Sequence, residues 1–111
     1  MSNTISFEDF SKIDLRIGTI VNVSSFEEAH KPAYKLTIDF GLLGIKKSSA
    51  QITSLYSEED LLNKQIIANV NFYDKQIANF SSQCLVLGAL DGSKVILLSP
   101  EESVLNGTTV S

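Results

Sequence analysis

Ile13 to Ser24, IDLRIGTIVNVS, constrains this chain more than any other stretch. Its odd positions Ile13, Leu15, Ile17, Thr19, Val21 and Val23 form a face that is apolar except for Thr19, while Asp14, Arg16, Asn22 and Ser24 fall on the other. A period of two marks a half-buried β-strand. A strand of this length, rising roughly 3.3 Å per residue, twists too far to stay flat in a small domain. Gly18 sits in its middle, where a missing side chain permits a bulge or a sharp bend. A long strand bent at a glycine can pair on both sides, which is how a small five-stranded barrel closes.

The rest of the chain supplies further elements in order. Ser6 can cap a short helix, with Asp9 three residues on and Ile5 and Phe10 placed as a hydrophobic staple. Phe7 and Phe10 then share one face of a helix too short to stand alone. That face must dock, and the residues favour a plug in the barrel's open end over a second subunit. After a polar connection from Ser25 to Ala33, Tyr34, Leu36, Ile38 and Phe40 alternate with Lys35, Thr37 and Asp39, a strand with Lys35 opposite the core. Ile45 to Thr53 is an edge-like strand whose Lys46 and Lys47 point to opposite faces. Ser57 to Leu62 is a capped helix with acids in its first turn.

Gln65 to Phe72 is a strand with Ile66, Ala68, Val70 and Phe72 inward and Asn69 and Asn71 outward. An irregular stretch, Tyr73 to Gln83, follows. Tyr73 and Phe80 within it read as core cover, and Asn79 is the expected left-handed turn residue, since Asn tolerates that conformation. Cys84–Leu90 and Lys94–Leu98 flank an Asp91-Gly92 hairpin signal, and Asn106-Gly107 marks a last turn. A single all-β domain over residues 1–111 is expected. A short N-terminal helix and a helix between strands three and four are the ordering of an OB-fold, a five-stranded Greek-key barrel. An SH3-like barrel is the alternative.

Composition narrows the function. Thirteen acids against nine bases argue against bulk attraction to nucleic acid. The distribution qualifies this. Residues 1–29 carry five acids and two bases (−3) and 57–111 seven and three (−4), but 30–56 hold Lys31, Lys35, Lys46 and Lys47 against Asp39 alone (+3), with His30 at their edge. A basic middle thus interrupts an acidic body. The apolar runs are too short to span a bilayer, the N-terminal residues show no signal peptide, and one cysteine forms no internal disulfide, so the cytoplasm is the expected compartment and membrane insertion is not expected.

Catalysis finds little support. One His and one Cys do not make a metal site, and neither a phosphate-cradling glycine loop nor a nucleophile elbow is present. A Cys84–His30 dyad is undercut by the apolar strand that Cys84 opens, because buried cysteines are mostly inert filler. No enzyme activity, cofactor or metal is therefore expected. Arg16, Lys31, Lys35, Lys46, Lys47 and Lys75 can instead line a groove that tracks a nucleic-acid backbone, with Gln76 and Ser82 adding hydrogen bonds.

Read together, IDLRIGTIV, KPAYKLTIDFG, GIKKSSAQIT, NKQIIANVNF, KQIANFSSQCLVLGA and the closing hairpin resemble the CsaA family. That family is similar to the tRNA-binding domains at the C-terminus of some methionyl-tRNA synthetases. The resemblance implies an OB-fold homodimer that the Phe7 and Phe10 helix helps to pair, tRNA binding, and a chaperone role associated with protein export. It also implies that Lys35, Lys75, Gln76 and Ser82 face RNA. The alternative is an ATP-independent chaperone of unfolded or precursor polypeptides with RNA binding vestigial. Two positions depart from the family: Asn79 stands where glycine is usual, and Gln83 where glutamate is usual.

Overall fold

The alternation from Tyr34 becomes strand β2 (Tyr34–Asp39), whose Leu36 and Ile38 are buried, as is Phe40 just beyond it. It lies antiparallel between β1 (Leu15–Ser25) and β3 (Ile45–Ala50). The computed structural model describes residues 3–111. The remaining elements are α1 (Phe7–Ser11), α2 (Glu58–Leu61), β4 (Gln65–Asn69), β5 (Lys75–Ile77), β6 (Phe80–Ser82), β7 (Leu85–Val86), β8 (Gly88–Asp91), β9 (Lys94–Leu97) and β10 (Thr109–Val110). A 3-10 turn, Gly41–Leu43, joins β2 to β3.

The sheet order β3-β2-β1-β4-β7, with α2 between β3 and β4, is that of the OB-fold barrel. β1 pairs on both sides: Leu15–Thr19 with β4, Thr19–Ser25 with β2, and Leu15 and Arg16 also with β10. The ends of the sheet meet where the Gln83 N–H donates to the Lys47 carbonyl (2.7 Å) and the Ser48 hydroxyl donates to the Cys84 carbonyl (2.8 Å). Such closure leaves few strand edges open to other chains.

The long strand departs from its alternation. Ile20, an even position, is fully buried, whereas Val21, an odd one, is exposed. The register shifts between Ile20 and Asn22, so a bulge changes which positions face the core. Gly18 is not that bulge. A Cβ there would stand 2.6 Å from Ile38 Cγ2 and 2.7 Å from the Phe40 ring, so the glycine makes room for a core aromatic. Ile17 faces the other way and is covered by the C-terminal segment, its N–H donating to the Thr108 carbonyl (2.9 Å) and its carbonyl accepting from Gly107 (2.7 Å). Gly107 has φ +92°, and a Cβ there would meet the Phe40 carbonyl at 2.6 Å.

Helix α2 has the expected cap in full. The Ser57 side chain accepts from the Asp60 N–H and the Asp60 carboxylate accepts from the Ser57 N–H, while Leu61 enters the core completely. These bonds hold the Asp60 carboxyl below its ordinary range. Helix α1 is capped by Ser6 Oγ (3.0 Å to the Asp9 N–H) but buries no residue, and Phe7 is 80% exposed. It does not plug the barrel. Leu61 of α2 enters the core, and α1 is tied down from outside, the Asn71 side chain donating to the Lys12 carbonyl (2.6 Å) and accepting from the Asp14 N–H (2.9 Å). Asn69, expected outward, is buried and bonded to Asn71 (3.0 Å), completing that tie. The second hairpin turns through Gly92-Ser93, one residue later than the Asp91-Gly92 signal, since Asp91 still pairs with Lys94.

Candidate nucleic-acid interface

Two irregular segments flank the outer face of β2 and β3. The 26–33 connection is anchored by Phe26, which is buried and whose N–H donates to the Ala33 carbonyl (3.0 Å). The other is the β5–β6 hairpin, turning at Ala78-Asn79. There the left-handed residue is Ala78 (φ 53°), not Asn79, and the Gln76 amide donates to the Ala78 carbonyl (3.0 Å), bracing the turn. Phe80 packs edge-on against Phe26 with ring centroids 5.3 Å apart, so it is the cover that its sequence position suggested.

Lys35 rises from β2 between these segments. Its ammonium lies 4.9 Å from the Phe26 centroid, 5.6 Å from that of Phe80 and 3.7 Å from a Glu28 carboxylate oxygen. A cation over two ring faces and beside an acid ties the 26–33 loop to the hairpin. Next to this cluster opens a cleft of about 400 Å³ where His30, Lys31, Ser49, Gln51, Lys75 and Gln76 converge from the loop, from the end of β3 and from β5. Lys31 and Lys75 are exposed and make no ion pair among the described residues. Two free cations beside amide, hydroxyl and imidazole groups can take a phosphate with its sugar.

The other expected residues take different places. Ser82 accepts from the Ser49 N–H (3.3 Å) and donates to the Cys84 carbonyl (3.4 Å), joining the hairpin to β3. Lys47 is exposed beyond the cleft, opposite Thr37 across the β2–β3 ladder. Lys46 is half-buried on the inner side of β3 opposite Ile38. Arg16 is engaged elsewhere, its guanidinium donating to Asp14 Oδ1 (2.6 Å) and to the Gly107 carbonyl (2.9 Å). Of the eight residues expected, the structure gathers Lys31, Lys75 and Gln76 into the cleft, while Lys35 ties the neighbouring loop to the hairpin and Ser82 bonds the hairpin to β3.

Sequence reasoning passed over Ser49, Gln51 and the clamp made by Gln83. The Gln83 side-chain oxygen accepts from the Lys47 N–H (2.8 Å) while its own N–H donates to the Lys47 carbonyl. A glutamate oxygen would accept the same bond, so this position anchors backbone. Cys84 is buried, and that burial pushes its thiol up from 9.0 to about 11, leaving no thiolate at neutral pH. Among the described residues no three His, Cys, Asp or Glu side chains gather as a metal site, and no helix is long and apolar enough to cross a membrane.

Residues 15–109 match the family described as "Putative tRNA binding domain". The chain is 50% identical to chaperone CsaA from Bacillus anthracis over 97% of this chain and 99% of that one, with a TM-score of 0.93. Against the CsaA chaperone protein from Picrophilus torridus the identity is 55%, over 97% and 100%, with a TM-score of 0.92. It is also 41% identical to the methionine–tRNA ligase of Pyrococcus furiosus over 96% of its own length, which is 14% of the ligase. The ordered blocks, the barrel and these likenesses agree: the chain belongs to the tRNA-binding-domain family and, within it, to the CsaA proteins.

Proposed function

We propose that this protein binds tRNA without catalysis, through the cleft between the 26–33 loop, β3 and the β5–β6 hairpin. One observation carries the reading: Lys31 and Lys75, distant in sequence, are brought unpaired to one concave site on a body of net charge −4. Because the acidic body repels RNA, the affinity has to come from this local patch. We take the active form to be a two-fold homodimer in the cytoplasm, doubling the patch. Labelled tRNA followed by fluorescence anisotropy tests this. With roughly three to five phosphates neutralised per complex, log K should fall against log salt with a slope of about −2 to −4. Lys75→Ala should weaken binding to different tRNAs alike, and Lys94→Ala in the distal hairpin should do little. Binding indifferent to salt, or equally sensitive to Lys94→Ala, would remove the cleft from consideration.

A chaperone role is the second reading, supported by the names of the CsaA relatives and by large apolar side chains left open, Leu42, Leu90 and Leu105 among them. It includes holding unfolded or precursor polypeptides for export. Suppression of client aggregation without ATP, measured by light scattering, is the expected outcome, and an ATP requirement would contradict it.

A further inference from the structure

Beside the cleft, the same hairpin borders a second hollow of about 360 Å³, lined by Phe72, Tyr73, Lys75, Ser82, Cys84 and Leu85. Its size falls within the roughly 300–1,000 Å³ of small-ligand sites. Three of its large apolar side chains are left open: Tyr73 completely, so it is not the core cover its position suggested, Phe72 by 57%, so it does not point inward as the alternation predicted, and Leu85 by 49%. Among the described residues Tyr73 makes no hydrogen bond or ring contact, unlike Phe80, which is spent on Phe26. An aromatic ring held fully in water beside an apolar hollow stabilises nothing in the free protein. Lys75 lines both the hollow and the cleft, so the two sites are continuous through one cation.

We infer that this hollow takes an unpaired nucleobase, stacked on Tyr73 and Phe72, while Lys75 holds the adjoining phosphate at the mouth of the cleft. The inference rests on the tRNA reading above and adds which part of an RNA is read. A nucleotide joins a flat π-face to an anionic phosphate, and the site joins two open aromatic rings to an unpaired ammonium. An apolar side chain of a polypeptide would use the rings and leave Lys75 without a partner. A base inside a duplex hides both faces in its stack, so the site selects a loop or an end.

Three RNA probes test it by anisotropy: labelled tRNA, a short single-stranded oligoribonucleotide and an A-form duplex of equal length. Tyr73→Ala and Tyr73→Leu should weaken binding to tRNA and to the single strand by roughly 5- to 100-fold. Tyr73→Phe, which keeps the π-face, should bind like wild type, and the duplex should not respond to any of the three. Tyr73 is fully exposed, so unfolding midpoints should stay unchanged and affinity losses report contact. Equal tRNA affinity of wild type and Tyr73→Ala, or full retention by Tyr73→Leu, overturns the inference. So does a Tyr73→Ala protein that loses aggregation suppression while keeping its RNA affinity, because the hollow then belongs to polypeptide. A wild type that binds no tRNA brings down the tRNA reading as well, a result distinct from those.

Discussion

Lys35 and Lys75 carry the same charge and face opposite demands. Lys35 is two-thirds or more covered, lying over Phe26 and Phe80 and beside Glu28, whereas Lys75 is open between two cavities. Lys35→Ala should therefore cost about 1 kcal/mol of folding stability from the lost cation–π contacts, seen as a lower urea midpoint. Its tRNA affinity should fall because the loop and hairpin loosen, with the salt slope preserved. Lys75→Ala should leave the urea midpoint where it is and reduce the salt slope by about 1. The reverse pattern would make Lys35 the phosphate contact. Cys84 adds a pH test at the same scale. Its folded pKa of about 11 exceeds the ordinary 9.0, so the contribution of its buried thiol is complete below pH 9 and is lost as pH rises toward 11. Alkylation at pH 8 should accordingly be slow in the native protein and fast in denaturant.

Among the elements, β1 and α2 show how single residues decide geometry. Gly18 in β1 leaves the space that the Phe40 ring and Ile38 fill, and both are fully buried. Gly18→Val should lower stability by roughly 1–3 kcal/mol through overpacking, read from the denaturant midpoint by circular dichroism. A wild-type midpoint would mean that the ring can move aside. Ser57→Ala removes the half of the α2 cap that its hydroxyl makes with the Asp60 N–H and should cost about 1 kcal/mol. The Asp60 carboxyl is held below its ordinary range by Ser57. Its contribution is present above the ordinary carboxylate pKa and fades as pH falls through the lowered one. The Ser57 backbone N–H, the larger cause of that lowering, survives in Ser57→Ala, so wild type and variant should both lose stability in acid.

At the scale of the whole molecule, α1 keeps its Phe7 ring out of the barrel core. Phe7 is 80% exposed and the helix buries nothing, yet Asn71 and Asn69 hold it firmly to the barrel. A rigidly held, exposed aromatic helix suits a two-fold contact with a second copy. The Phe7→Asp, Phe10→Asp double variant should sediment as a monomer while wild type sediments as a dimer. An unchanged dimer mass would move the interface elsewhere. Loss of the dimer should also weaken tRNA binding, because one patch remains where two acted together.

Local pattern was enough for the barrel itself. Alternation in Tyr34–Phe40 placed Leu36, Ile38 and Phe40 inward, and Ser57 followed by three acids announced a capped α2. Such features depend on neighbours within a few residues, which is the range over which strand period and capping act. The ordered blocks likewise pointed to the CsaA family, and the likenesses to solved CsaA chains agree with them. What local pattern could not decide was anything set by residues far apart in sequence. The phase of β1 changes at a bulge placed by its pairing with β2, and the space over Gly18 is claimed by a ring twenty-two positions on. Asn69 is buried because Asn71 and α1 meet it. By residue type alone six basic residues could line a groove, and the resemblance singled out Lys35 and Lys75; tertiary contacts separated the six differently. The Gly107 carbonyl engages Arg16 and the Phe80 ring helps hold Lys35, while Lys31 and Lys75 meet unpaired across a cleft. A charge becomes a binding group only where folding leaves it open and unspent, and that depends on partners that no stretch of local sequence contains.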